Sequence, residues 1–390
     1  LRRAEHAPGS AALSLHARVA GLTPAEVERA LIAGKTMLQA WSLRGAPHVF
    51  PARDAAVFTL GLLPEDKGTL HTFIMGAEAA LERVGMSAGE LVERTARALP
   101  GALGDCILDN KRRLDIALAG QVAQELGPDQ LAAWQSRSWY AADQRLGEAL
   151  VSFALRPVSL RGLICFAPRR GHEASFVRTE AWLGAPLPVT DREQAQAELV
   201  RRYLHGYGPS TMEHLAAWAG IAPAQAARMW AHVAHELAEV RFEGREAWLY
   251  GGDVPALLSP PAAEGVRFLP PHDPYLQLRD RATLVAERAL QHRIWRPAGN
   301  PGAVLAGGRL VATWRPQKRG ARLQLTVELL APVSREARSD IEAEAATLAP
   351  YKGCAAAEVE FTDRSTHAWL SPSSSSAPAS PASPPAATPA

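Results

Sequence analysis

Residues 193–250 read EQAQAELV RRYLHGYGPS TMEHLAAWAG IAPAQAARMW AHVAHELAEV RFEGREAWLY, and this stretch decides the fold. Ala195, Leu199, Tyr203 and Leu204 recur at helical spacing, which predicts a first helix over 193–204. The Gly206-Tyr207-Gly208-Pro209 run breaks it. Ser210 then sits where a hydroxyl caps a second helix, and Glu213, three residues on, completes a capping box. Gly220 closes that helix after Trp218. Pro223 opens a third helix that runs to about Glu236, and residues 240–242, 243–245 and 247–250 read as strand, turn and strand. Three helices followed by a hairpin are a winged helix.

A third helix that reads DNA presents Arg, Lys, Asn or Gln to base edges. This one offers Ala224, Gln225, Arg228, His232 and His235 among alanines, so its exposed face is nearly neutral. Packing, with Met229, Trp230 and Val233 as core, is the favoured role over base reading. His232 and His235 stand three apart, but no third ligand accompanies them, so no metal site is expected.

Working outward, the chain has 390 residues, 47% hydrophobic and 21% charged, enough for several domains with sizeable cores. No run of about 18 apolar residues and no signal peptide stand out, so a cytoplasmic protein is expected. Cys106, Cys165 and Cys354 lie far apart, which argues against a disulfide framework and for small buried hydrophobes. The charge is uneven. Residues 274–322 carry ten basic side chains against two acidic, a net of +8, whereas 323–363 carry three against eight. The basic stretch fits a phosphate backbone or a surface neutralised by internal ion pairs, and both readings stay open.

Upstream, Thr23-Pro24-Ala25-Glu26 is a capping box with Pro at the first helical position, and the helix should end near Ala33. A strand, an Arg44-Gly45 turn and a second strand are expected over 36–50, and further helices over 54–62, 70–84, 87–98 and 115–126. Leu160-Arg161-Gly162 before the apolar run at 163–166 echoes Leu43-Arg44-Gly45 before 48–50, a hint that the helix-and-hairpin unit occurs more than once. Residues 184–191 and 253–271 read as linkers. Beyond them the pattern turns to strands, with Gly307-Gly308 as a hairpin turn, an alternating strand over 322–329, a helix capped by Ser334, and an edge strand at 359–361. The fold class expected is mainly α with β-hairpins (α+β): winged-helix modules at 1–85, 86–183 and 193–250, a β-rich domain at 264–363, and a disordered Ser-Pro-Ala tail at 364–390.

Several separated segments carry a family resemblance. Trp41-Ser42-Leu43-Arg44-Gly45-Ala46-Pro47-His48, Trp139-Tyr140 with Leu146-Gly147-Glu148, Pro270-Pro271-His272-Asp273-Pro274-Tyr275, Leu278-Arg279-Asp280-Arg281, and Pro301 to Leu305 with Val311 to Trp314 resemble the winged-helix DNA-binding-domain family related to the AlkZ and YcaQ DNA glycosylases. The resemblance spans about residues 4 to 363. It implies tandem winged helices and a β-rich part around double-stranded DNA, excision of bulky alkylated or crosslinked bases, and no metal or organic cofactor. The family's catalytic Gln-x-Gln or Gln-x-Asp motif aligns with Ala4, Glu5 and His6, so both glutamines are missing here. Glu5 and His6 become the catalytic candidates, since a carboxylate or imidazole can position water or stabilise a cationic sugar. Arg44, at the hairpin tip, and His48, on the adjoining strand, are candidates for holding DNA, the alternatives being a solvated turn arginine and a histidine bonded to backbone. Arg279, Arg281, Arg315, Lys318 and Arg319 are candidates for phosphate contact, with Asp273 and Asp280 expected to brace the first two. A monomeric DNA repair glycosylase is one reading, and a non-catalytic DNA-binding regulator or lesion binder is the other.

Overall fold

The computed structural model describes residues 9–278, 280–296 and 298–362. Glu5, His6, Arg279 and the 364–390 tail lie outside them. The described chain is mixed α and β, mostly helical up to Tyr207, and it ends in a sheet.

The first unit follows its local signals. Thr23 caps the Pro24–Glu28 helix, its hydroxyl accepting from Glu26 N while the Glu26 carboxylate accepts from Thr23 N. The expected hairpin forms between Met37–Trp41 and Pro47–Pro51, in register from Met37 opposite Pro51 to Trp41 opposite Pro47. Arg44 sits in the turn at φ 57°. The single helix expected over 70–84 is broken into Lys67–Ile74 and Glu78–Val84 at Gly76, which sits at φ 93° with its N–H donating to the Glu78 carboxylate.

The second unit packs the Glu78–Val84, Ala88–Leu103, Lys111–Ala123 and Pro128–Gln135 helices around Leu146–Leu160. Twelve of the fifteen residues of that last helix are buried. Its polar residues Glu148, Ser152, Arg156 and Ser159 recur at helical spacing, a period the sequence reading passed over. The Leu160-Arg161-Gly162 echo does not mark an equivalent position. Leu160 ends a helix leading into the Ile164–Arg170 strand, whereas Leu43-Arg44-Gly45 joins two paired strands. Trp41 packs on the adjoining Phe166 and Phe176 rings, at 4.5 and 5.6 Å, and so seats the first hairpin on the Ile164–Arg170/Glu173–Arg178 hairpin.

In the 193–250 stretch the helices are Arg192–Tyr207, Met212–Ala219 and Pro223–Ala231, and the antiparallel strands are Leu237–Phe242 and Arg245–Tyr250. The cap of the second helix is Thr211, not Ser210: the Thr211 hydroxyl accepts from His214 N. Ser210 is buried, its hydroxyl 2.7 Å from that of Tyr203 and its backbone bridged to Trp248. One polar side chain of the third helix turns inward and another reaches across to the 62–66 loop. Gln225 is fully buried and its amide donates to the Leu62 and Leu63 carbonyls, while Arg228 pairs with Glu65 and Asp66. Leu43, Val57, Leu62, Phe73 and Leu160 share a core with this stretch.

The C-terminal sheet has five strands in the order Ala356–Thr362, Arg322–Leu329, Arg309–Arg319, Gly302–Ala306, Val266–Leu269. The last of these lies inside the segment expected to be linker. Gly307 and Gly308, at φ 53° and 73°, make the two-residue turn expected of them. Ser334 caps the Arg335–Ala346 helix, which returns the chain so that Ala356–Thr362 lies parallel to Arg322–Leu329. Leu13, from the Ser10–His16 helix, is buried in this sheet's core beside Phe268 and Trp314. Of the cysteines, Cys165 and Cys354 are buried as expected, but Cys106 is exposed on the turn after the Ala88–Leu103 helix.

Candidate nucleic-acid interface

Four distant segments meet at the His272-Asp273-Pro274-Tyr275 loop. Asp273, 1% exposed, accepts both prongs of the Arg18 guanidinium at 2.7 and 2.8 Å. It also accepts from Tyr275 N at 2.9 Å, which starts the Pro274–Gln277 turn. Asp273, expected to brace Arg279 and Arg281, has Arg18 as its ion-pair partner, on the segment after the N-terminal helix. Asp280 instead accepts from the Thr283 hydroxyl at 2.6 Å, at the start of the Arg281–Leu284 helix.

Tyr207, at the end of the Arg192–Tyr207 helix, sits among Arg18, Arg44, Asp273 and Tyr275, and burial pushes its hydroxyl up to about 12. His272 is held at φ 67°. Burial, and then the neighbouring Arg44 cation, lower its proton affinity, so the imidazole is neutral at pH 7. Arg44 and His272 are both non-glycine residues in left-handed backbone. Such strain gathers where a site over-determines its residues.

Arg44 is not a solvated tip. Its guanidinium donates to the Trp218 carbonyl, and its Cα and Cγ lie where a Cβ on Gly220 would come within 2.7 Å. Gly220, the left-handed C-cap at φ 72°, admits that approach. His48 Nδ1 lies 3.0 Å from the Ala46 carbonyl, the backbone-bonded alternative. The arginine turn therefore ties the first hairpin to the 193–250 stretch.

The basic stretch divides. Cross-strand partners share a face, and the pairs Arg315/Thr326, Gln317/Gln324 and Arg319/Arg322 place Arg315 and Arg319 on the open face of the sheet. Lys318 pairs with Leu323 on the opposite face, where its ammonium donates to the Lys352 and Gly353 carbonyls. Arg315 donates to the Gly299 carbonyl at 2.8 Å. Burial of its head and the adjacent Arg296 lower its pKa, a like-charge pairing that an anion would relieve. Arg281 lies over the Trp295 ring at 5.0 Å. Arg293 and Arg322 pair with Glu328 and Glu358, so internal neutralisation takes part of the +8 charge.

The structure brings together Arg44, Arg18, Tyr207 and His272, and separately Arg315 and Arg319. Sequence reasoning passed over Arg18, Tyr207 and His272, although the Pro-Pro-His-Asp-Pro-Tyr run was a visible signal for the last. Among the described residues, no three His, Cys, Asp or Glu side chains are placed to hold a metal, and no helix is long and apolar enough to cross a membrane.

The described chain is thus a set of helix-and-hairpin units followed by a C-terminal sheet. The profile of the AlkZ-like DNA glycosylases matches residues 4–351, and the chain belongs to that family. It is 24% identical over 292 residues to the interstrand DNA cross-link repair glycosylase of Streptomyces sahachiroi, covering 73% of this chain and 71% of that one. The structure of the Streptomyces sahachiroi DNA glycosylase AlkZ superposes with a TM-score of 0.69 at 22% identity, over 90% of this chain and 89% of the other, and shows a shared fold.

Proposed function

We propose that this protein is a monomeric, cytoplasmic, nucleoid-associated DNA repair glycosylase that hydrolyses the N-glycosidic bond of alkylated or crosslinked bases in double-stranded DNA. The observation that carries the reading is the family match over residues 4–351. In this reading the helix-and-hairpin units are tandem winged helices divided at 1–85, 86–183 and 193–250, with the sheet domain at 264–363. The third helix, its Gln225 and Arg228 engaged with the 62–66 loop, packs rather than reads bases. Arg44, His48, Arg279, Arg281, Arg315 and Arg319 hold DNA, and Lys318 supports the sheet beside them.

Excision passes through a cationic sugar, which one carboxylate or imidazole stabilises while water attacks. Glu5 and His6 fill that role by alignment, with no metal or organic cofactor. The test is single-turnover excision from duplexes carrying N7-alkylated guanine or an interstrand crosslink. Excision should leave an abasic site, survive EDTA, and fall by roughly two to four orders of magnitude in Glu5→Gln or His6→Ala. Full activity in both variants would move the chemistry elsewhere. The absence of both family glutamines at 4–6 favours a second reading, a lesion binder without catalysis. Salt-dependent binding without excision by the wild type would establish it.

A further inference from the structure

The loop over residues 136–145 holds aromatic side chains in solvent by construction. Trp139 is 51% exposed, Tyr140 37%, and neighbouring Met75 65%. Nevertheless the loop is tightly stapled. Ser138 N donates to the Gln144 carbonyl at 2.8 Å, Tyr140 N donates to the hydroxyl of buried Ser138, and Arg145 donates to the Gln135 carbonyl. The Tyr140 hydroxyl donates to the Gly76 carbonyl, and its ring meets Trp139 at 5.5 Å and Phe153 edge-on at 5.3 Å. An indole displayed on a fixed backbone is a pre-ordered contact.

Its neighbours say what it meets. Arg137 and Arg145, both exposed, face one another across a β-bridge at the base of the loop. Phe153, under Tyr140, and Arg156 lie on one face of the Leu146–Leu160 helix, a turn apart. Arg156 in turn lies where a Cβ on Gly45 would come within 2.7 Å. The aromatic loop therefore shares a helix face with the Arg44-Gly45 turn. Glu78, the carboxylate felt by the Tyr140 hydroxyl, is itself taken up by Gly76 N and His71. Two rings and a methionine are too few for a stable protein interface, which needs about 800 Å² per partner. An exposed aromatic face with Arg137 and Arg145 at the base of its loop, against the single carboxylate of Asp143 within it, matches one nucleobase with its flanking phosphates.

We infer that Trp139 is a stacking platform for an unpaired base of duplex DNA, over the helix face whose Arg156 meets the Arg44-Gly45 turn. This rests on the proposed DNA-acting function and adds a residue that engages the distorted, rather than the paired, part of the substrate. Protein side chains that stack on or wedge against opened base steps act in this manner.

The experiment compares two duplexes of one sequence, one fully paired and one with 2-aminopurine opposite an abasic site, bound to the full chain and to Trp139→Ala and Trp139→Phe. Trp139→Ala should weaken binding to the interrupted duplex about ten-fold and abolish 2-aminopurine quenching, while affinity for the paired duplex changes less than about two-fold. Trp139→Phe should restore most of both signals. Equal losses on both duplexes, no loss on either, or a Phe variant as weak as Ala would overturn the inference and leave the glycosylase reading standing. Self-association that depends on Trp139, seen by sedimentation, would assign the patch to a second copy and also overturn it. Failure of the wild type to bind either duplex would overturn both.

Discussion

Arg18 and Asp273, 255 positions apart, close a two-pronged ion pair whose carboxylate is almost fully buried and whose guanidinium is 43% exposed on its side chain. The asymmetry has an energetic consequence. Arg18→Ala strands a buried charge, whereas Asp273→Asn frees an arginine that reaches water and keeps an acceptor for Tyr275 N. Arg18→Ala should cost about 2–3 kcal/mol, below the full value for a wholly buried pair, and Asp273→Asn roughly half as much. Urea denaturation of both variants checks the order, and a smaller loss for Arg18→Ala would refute it.

Asp115 is 5% exposed, and burial, offset in part by Lys111, raises its carboxyl to about 6 from an unperturbed 3.8. A raised acid contributes stability below the unfolded value and loses it as pH climbs through the folded one. Between pH 4 and 7 the wild type should therefore lose stability relative to Asp115→Asn by about 2–3 kcal/mol, with little further change above. Denaturation midpoints of the two proteins across that window test it, and a constant difference would contradict the assignment.

Arg315 and Arg319 share the open face of the sheet, and Lys318 caps carbonyls behind it. Arg315→Ala and Arg319→Ala should each flatten the slope of log affinity against log salt by about 0.9. Lys318→Ala should leave the slope alone and lower stability by about 1 kcal/mol. Fluorescence anisotropy titrations from 50 to 200 mM salt, roughly the range where such slopes are read, distinguish the three. A slope change for Lys318→Ala equal to the other two would count against the division of faces.

Gln225 donates to two backbone carbonyls from a fully buried position. Gln225→Ala should destabilise by about 1–2 kcal/mol and leave base preference unchanged across a panel of duplexes. A shifted preference would return the third helix to the major groove.

Gly220→Ala would place a methyl against the Arg44 backbone in a left-handed conformation. A loss of more than about 1 kcal/mol is expected, together with weaker DNA binding. Wild-type thermal stability in the variant would show that the hairpin is not wedged there.

Local chemistry was readable wherever a signal acts over a few residues. The Thr23 box, the Gly307-Gly308 turn and the Ser334 cap stand where the sequence puts them. The Ser210 and Thr211 exchange shows the limit: both hydroxyls suit the cap, and the nearby Tyr203 hydroxyl claims the first. Leu146–Leu160 escaped notice although Glu148, Ser152 and Arg156 recur every four residues along its one partly exposed face. The site was legible in its arginine turn, Arg44, and in the His272-Asp273 motif, but not in the partnership of Asp273 with Arg18, which only the meeting of distant segments creates. Gln225 looked like a surface residue because its partners, Leu62 and Leu63, belong to another unit.

Leu13 is sealed into a core whose walls, from Val266 to Val327, are translated long after it. On the ribosome the Ser10–His16 helix has nothing to dock on until the last strands emerge, so the first hairpin and the helices behind it fold while this segment waits. The order of assembly then doubles as a safeguard. The Ser10–His16 helix is fixed in place only in a chain whose C-terminal sheet is complete, and a polypeptide interrupted before that point leaves the helix without its core.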